Sequence, residues 1–246
     1  KVWDFFEANG DKTDVVACRQ RWTGDRSGWI KLDYKFAGGS GIADITERPD
    51  CIQTSLSSAF LRTEKAREHG LDAALPVLGG SLLINSLVLQ KGTIGLLREP
   101  VCTRIFVDAP EHEADASAML EHYCETLFAL SERLHGRVER YVQYLAADEL
   151  RTLTVSDNAA LCNRVRVLLQ RCDAHVLATA RNCALGTKGA LLRLRDDGFT
   201  VRLDGEEAFA GDESLGRLNA AGALTVDGIE TGSRYHITGH VLLPGF

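Results

Sequence analysis

Metal binding is the first chemistry raised by the histidines and cysteines of this 246-residue chain, which holds seven of each. His236 and His240 stand at the i, i+4 separation that puts two ligands on one face of a helix. The residues around them read as a strand, in which that spacing leaves the two rings more than ~10 Å apart, too far for one zinc ion. His122, Cys124 and Glu125, with Glu121 beside them, make a second cluster. They fall in a helical pattern whose neighbouring side chains splay by about 100° per step, so they need ligands from elsewhere to close on one ion. Cys124 and Tyr123 read instead as packing residues. No metal site and no cofactor are expected.

Phosphate and nucleophile chemistry are no better signposted. Gly38–Gly39–Ser40–Gly41 could present backbone N–H groups to a phosphate, but such a cradle needs a helix start or a nest directly after it. Strand-like residues follow, so the glycines read as a plain hairpin turn. Gly186-Thr-Lys-Gly189 reads as following a helix, the wrong order for a phosphate loop. Walker A, G-x-S-x-G, dinucleotide-binding and H-E-x-x-H patterns are all missing from the sequence. Catalytic residues are therefore unassigned, and an enzyme is disfavoured. One enzyme pattern does occur in order: Arg19 or Arg21, then Thr54-Ser-Leu-Ser-Ser58, then Glu111-His-Glu113. This order resembles ADP-ribosyltransferases of the R-S-E type, and the resemblance implies an activity that depends on Glu113. Read locally, the serines cap a helix, and the two acids open a long helix whose macrodipole they complement.

The elements that must position such residues begin with a short helix over 2–8 and a strand over 14–22. Residues 29–36 alternate Ile30, Leu32, Tyr34 and Phe36 against Lys31, Asp33 and Lys35, which predicts a strand with one wet face, paired antiparallel to the first. A third strand is expected over 42–46 and a helix from Ser57 or Ser58 to His69, ended by Gly70. Residues 81–90, 93–97 and 101–107 read as further strands, with Lys91–Gly92 as a turn and Glu99–Pro100 as a break.

From Glu111 the period changes. Leu120, Tyr123, Leu127, Leu130, Leu134, Val138, Tyr141 and Leu145 recur at steps of three and four, the seam of a long helix that bends or breaks near Gly136. Leu161, Val165, Leu168, Cys172, Val176 and Thr179 make a second seam, capped by Ser156 or Asp157 and closed near Gly186. The short connection over 147–155 predicts an antiparallel helical hairpin. Leu120, Leu127, Leu134 and Tyr141 are the residues expected to meet a partner, with burial against the sheet as the alternative.

The last sixty or so residues read as a small module. A helix is expected from Leu215 to Gly222, capped by Asp212 or Ser214, followed by a hairpin around Gly232. Arg217, Leu218, Gly222, Gly232, Tyr235, Ile237 and Thr238 resemble the closing helix, wing and strand of a winged-helix domain, over about a tenth of the chain. The resemblance implies nucleic-acid or protein contact. Arg193, Arg195, Arg217 and Arg234 are the phosphate contacts it would use, with Arg164, Arg166 and Arg171 as a further basic group on the preceding helix. Net charge is −6, so a nucleic acid would have to be held by such a local patch against the field of the whole chain.

The composition, 45% hydrophobic and 25% charged, is that of a globular protein. Cysteines without a CxxC pair suit free thiols in a reducing compartment, so a cytoplasmic location is expected. No apolar run reaches membrane-spanning length. The first residue is Lys1, not a methionine, which leaves open a leader ahead of it. The reading is an α+β chain: residues 1–108 a mixed antiparallel sheet domain with short helices, 109–186 a long helical hairpin packed on it, and 187–246 a small C-terminal α/β module. The expected function is a non-enzymatic binding or assembly subunit that docks a protein partner or a second copy through the hairpin, with nucleic-acid binding as the alternative.

Overall fold

The computed structural model describes residues 1–24, 28–29, 31–72, 75, 78–106, 116–151, 159–196, 201–205 and 207–217. A short helix α1 (Val2–Asn9) leads to strand β1 (Val15–Gly24), and β2 (Gly28–Trp29), β3 (Gly41–Asp44) and β4 (Ala59–Leu61) follow. Helices α2 (Thr63–His69) and α3 (Gly79–Lys91) precede the long strand β5 (Thr93–Phe106). The strand order is β2-β1-β5-β3, with β4 beside the first half of β1. Helices and a mixed sheet make the chain α+β.

The sheet is mixed, antiparallel in every pairing but the central one. β1 and β5 run parallel, from Val16 beside Gly95 to Gly24 beside Phe106, while β2 and β4 on β1 and β3 on β5 are antiparallel. Parallel neighbours need a long crossover. Residues 81–90, read as a strand, lie in the crossover helix α3. Every residue from Ser81 to Leu89 is buried, and a helix buried all round has no polar face to print a 3.6-residue period. Gly92 caps it in the left-handed region (φ 77°), its N–H donating to the Val88 carbonyl.

Residues 29–36 are corrected too. Among the described residues of this stretch, Trp29 pairs with β1 together with Gly28, and Lys31–Phe36 wind into a 3-10 helix. In that winding residues three apart share a side, so Lys35, expected on the wet face, sits beneath Leu32 and is buried with it. The Glu99–Pro100 break appears as a jump in register, with Cys18 beside Leu97 and Gln20 beside Cys102. Residues 57–69 are not one helix: a 3-10 turn (Leu56–Ser58) runs into β4 before α2 begins. Gly38–Gly41 joins the 3-10 helix to β3 and so is no hairpin turn.

Alternation along the strands divides two apolar layers. Val15, Ala17, Ile94 and Leu96 enter the main core, whereas Val16, Cys18 and Leu97 meet Val2, Phe5 and Phe6 of α1 on the other face. Gly95 permits that approach, since a Cβ there would stand 2.8 Å from the Phe5 ring.

The seams belong to several helices: α4 (Ala116–Arg133), α5 (Glu139–Leu150), α6 (Ala159–Gln170), α7 (Ala174–Thr179) and α8 (Leu185–Arg195). The break near Gly136 is present. His135 (φ 58°) and Gly136 (φ 69°) are left-handed, and their N–H groups donate to the carbonyls of Glu132 and Ser131, closing α4 with a Schellman turn. The second seam is cut at residues 171–173, where the Asp173 side chain caps α7 by accepting from the His175 N–H. Gly186 does not close that helical run but lies in the first turn of α8, so residues 186–189 begin a helix. Three strands follow, β6 (Val201–Asp204), β7 (Glu207–Ala210) and β8 (Glu213–Arg217), in an antiparallel sheet. β8 occupies the start of the helix expected from Leu215. The remaining wing residues, from Leu218 on, lie outside the described residues, as do Ser156, Asp157, Glu111 and Glu113.

Candidate ligand cleft

Residues from three separated stretches meet at a cleft of about 840 Å³. One wall is the hydroxyl-rich loop of Thr54, Ser55, Leu56 and Ser57; the second is the first turn of α3, Gly79-Gly80-Ser81; the third is Asp148, Glu149 and Arg151 at the end of α5. Leu71, Asp72, Leu75 and Leu78 complete the lining.

The two glycines let these walls close. A Cβ on Gly80 would stand 2.3 Å from Leu56 Cδ1, and one on Gly79 would stand 3.2 Å from the Asp72 carbonyl oxygen. The opening N–H groups of a helix lack intrahelical acceptors; that of Gly79 donates to the Leu75 carbonyl at 2.6 Å, so the helix-start donors α3 can offer the cleft are the N–H groups of Gly80 and Ser81.

Behind the walls lies a network of buried polar side chains. Asn85, fully buried on α3, donates to the carbonyls of Gln53 and Ser81, each at 2.8 Å, and accepts from the Tyr141 hydroxyl at 2.7 Å. The Ser81 hydroxyl meets the Tyr123 hydroxyl at 2.9 Å. Gln53 donates to the Ser55 carbonyl at 2.6 Å and the Ser58 hydroxyl at 3.0 Å, and Gln20 of β1 donates to Ser57 Oγ at 3.2 Å. The Lys35 ammonium donates to the Ile52 carbonyl at 2.7 Å and to Gln53 Oε1 at 2.5 Å. Buried polar groups are costly unless satisfied, and a satisfied network rigidifies what it touches. Here it fixes residues 53–58 and the first turn of α3.

Electrostatics distinguish the third wall. Burial, assisted by the neighbouring Asp148 charge, pushes the Glu149 carboxyl up to about 8, against a smaller opposing effect of Arg151. Asp148 accepts from Arg151 Nε at 2.8 Å and from the Asn182 amide. Below the wall, burial pushes the Lys35 amine down to about 7. At neutral pH the cleft thus carries a protonated carboxylic acid beside an ion-paired carboxylate, with hydroxyls opposite. Such a set can donate to and accept from hydroxyl or amide groups and can exchange a proton at Glu149.

The residues singled out from sequence are distributed otherwise. Leu120, Leu127 and Tyr141 are buried in the chain's own core, and Leu134 is half-buried against it, so the surface they would offer a partner is already covered. Arg193 is exposed on α8, whereas Arg195 donates to the Cys172 carbonyl at 2.9 Å. Arg217 lies in β8, and Arg234 lies outside the described residues. Arg164 and Arg171 pair with Glu121 and Glu132 of α4, and Arg166 donates to the Leu194 carbonyl. His122 reaches Asp72 at 3.1 Å while Cys124 is buried in the core, so that cluster does not converge; no metal-binding group of three or more such residues occurs among the described residues. His236 and His240 lie outside them. Arg19 forms a two-pronged ion pair with Asp33, at 2.5 and 2.7 Å.

The Thr54–Ser58 hydroxyls stand out in the sequence as helix-capping residues and as part of the transferase pattern, but nothing there singles out Glu149 as facing them. The Gly-Gly-Ser before an apolar run was the available signal, hidden once that run was read as a strand. A scan of protein families finds no matching model, and no curated protein matches the chain.

Proposed function

We propose that the chain is a binding protein whose cleft takes a compact, uncharged, hydroxyl-bearing molecule. The observation that carries this reading is the cleft itself, whose hydroxyl loop and helix start are held by a buried, satisfied polar network. Its volume lies in the range of small-molecule sites, roughly 300–1,000 Å³. Carboxylate oxygens of Asp148 and Asp72 accept from ligand hydroxyls, Glu149 donates while protonated, and the leucines offer an apolar side. The same carboxylates disfavour a polyphosphate.

Backbone amide spectra recorded during titration with neutral monosaccharides and nucleosides, and separately with the nucleoside triphosphates and inorganic phosphate, test it. The expected result is saturable shifts confined to residues 54–57, 79–81 and 148–151 with neutral members of the panel. Tighter binding of the triphosphates, or no shift in these residues with any neutral member, refutes the reading.

A further inference from the structure

Away from the cleft, the geometry points to a docking site for a protein partner: the groove between α1 and β4–α2 takes an extended segment with large apolar side chains flanked by lysine or arginine. The groove holds about 730 Å³, with Val2, Trp3, Phe6, Phe60 and Leu61 among its lining. Trp3 is 72% exposed and Phe60 36% exposed. The packing of α1 on the sheet uses Val2, Phe5 and Phe6, so Trp3 stands outside the cluster that holds the helix. β4 has β1 as its sheet neighbour among the described residues, which leaves its other edge to pair with an added strand.

Charge selects the occupant. Glu7, Asp11 and Glu64 line the groove, are exposed, and make no ion pair among the described residues. Arg62, the cation of the lining, is already engaged: it donates to the carbonyls of Thr13 and Gly10, lies 3.6 Å from Asp14, and covers the Phe6 ring at 5.0 Å. An apolar floor under an acidic rim favours a basic segment, repels an acidic one and repels an anionic bilayer. A second copy fits less well, because two chains of net charge −6 repel each other.

Selection from a displayed random-peptide library on the whole chain, followed by anisotropy titration of the winning peptides, tests this. The expected winners carry aromatic or branched aliphatic residues next to Lys or Arg, and they lose about tenfold or more in affinity with Trp3→Ala or with Glu7→Lys/Glu64→Lys, as at an interface anchor. Both are exposed positions, and unchanged circular dichroism and urea midpoints verify that the variants are folded. Winners that are acidic or uncharged, winners indifferent to both variants, or binding to phosphatidylserine vesicles in preference to basic peptides would each overturn the proposal. So would concentration-dependent dimerisation that Trp3→Ala abolishes, since the occupant would then be a second copy.

Discussion

Glu149 and Lys35 make opposite contributions to stability as pH changes. The Glu149 carboxyl ionises at about 8 when folded, against 4.5 ordinarily. Between those values the unfolded chain binds fewer protons at this site, so the contribution is fully present below pH 4.5 and is lost as pH rises towards 8, at ~1.4 kcal/mol per unit. The Lys35 amine ionises at about 7 instead of 10.5, so there the folded chain binds fewer protons and its contribution rises with pH across that interval. Urea midpoints measured from pH 5 to 7, below the interval over which Lys35 acts, are expected to fall in the parent and to flatten in Glu149→Gln, which keeps the shape of the neutral acid. An equal fall in the variant would assign the slope to another group. Neither residue was legible: Glu149 fell in the connection expected over 147–155, whereas it lies in the last turn of α5, and Lys35 stood on the polar side of an alternation that the chain does not use.

At the scale of the element, the Schellman turn at His135 and Gly136 separates α4 from α5. Gly136 has φ 69° and no neighbour nearer than Glu139 Oε2 at 3.7 Å to a Cβ placed there. Its replacement is therefore limited by backbone conformation and not by space. Gly136→Ala is expected to cost ~1 kcal/mol, and His135→Gly, which relieves a side chain held at φ 58°, to gain ~0.5–1 kcal/mol. Paired urea unfolding curves check both. This break was readable because a glycine interrupts an otherwise continuous seam. The identity of α3 was not, because its burial on every side removes the contrast on which periodicity depends.

Across the whole molecule, Tyr141 of α5 and Asn85 of α3 link the helical layer to the loop beside the sheet. Tyr141→Phe removes the donor to Asn85 Oδ1 and is expected to cost ~1–3 kcal/mol, the penalty of a buried acceptor left without a partner. Because the same asparagine holds the Gln53 carbonyl, amide exchange at residues 53–58 should quicken beyond what global destabilisation accounts for. A uniform change along the chain would separate the network from the cleft. By itself the sequence determined what depends on near neighbours: the first strand, expected over 14–22 and found over Val15–Gly24, the apolar seams, the interruption at Gly136, and the absence of a described helix able to cross a membrane. Tertiary structure alone decided that β1 and β5 run parallel, that the seams face inward, and that residues 54–57, 79–81 and 148–151 share one cleft. Local patterns record which side chains avoid water, but the partner that covers them, and the direction in which distant segments pair, depend on packing across the whole chain.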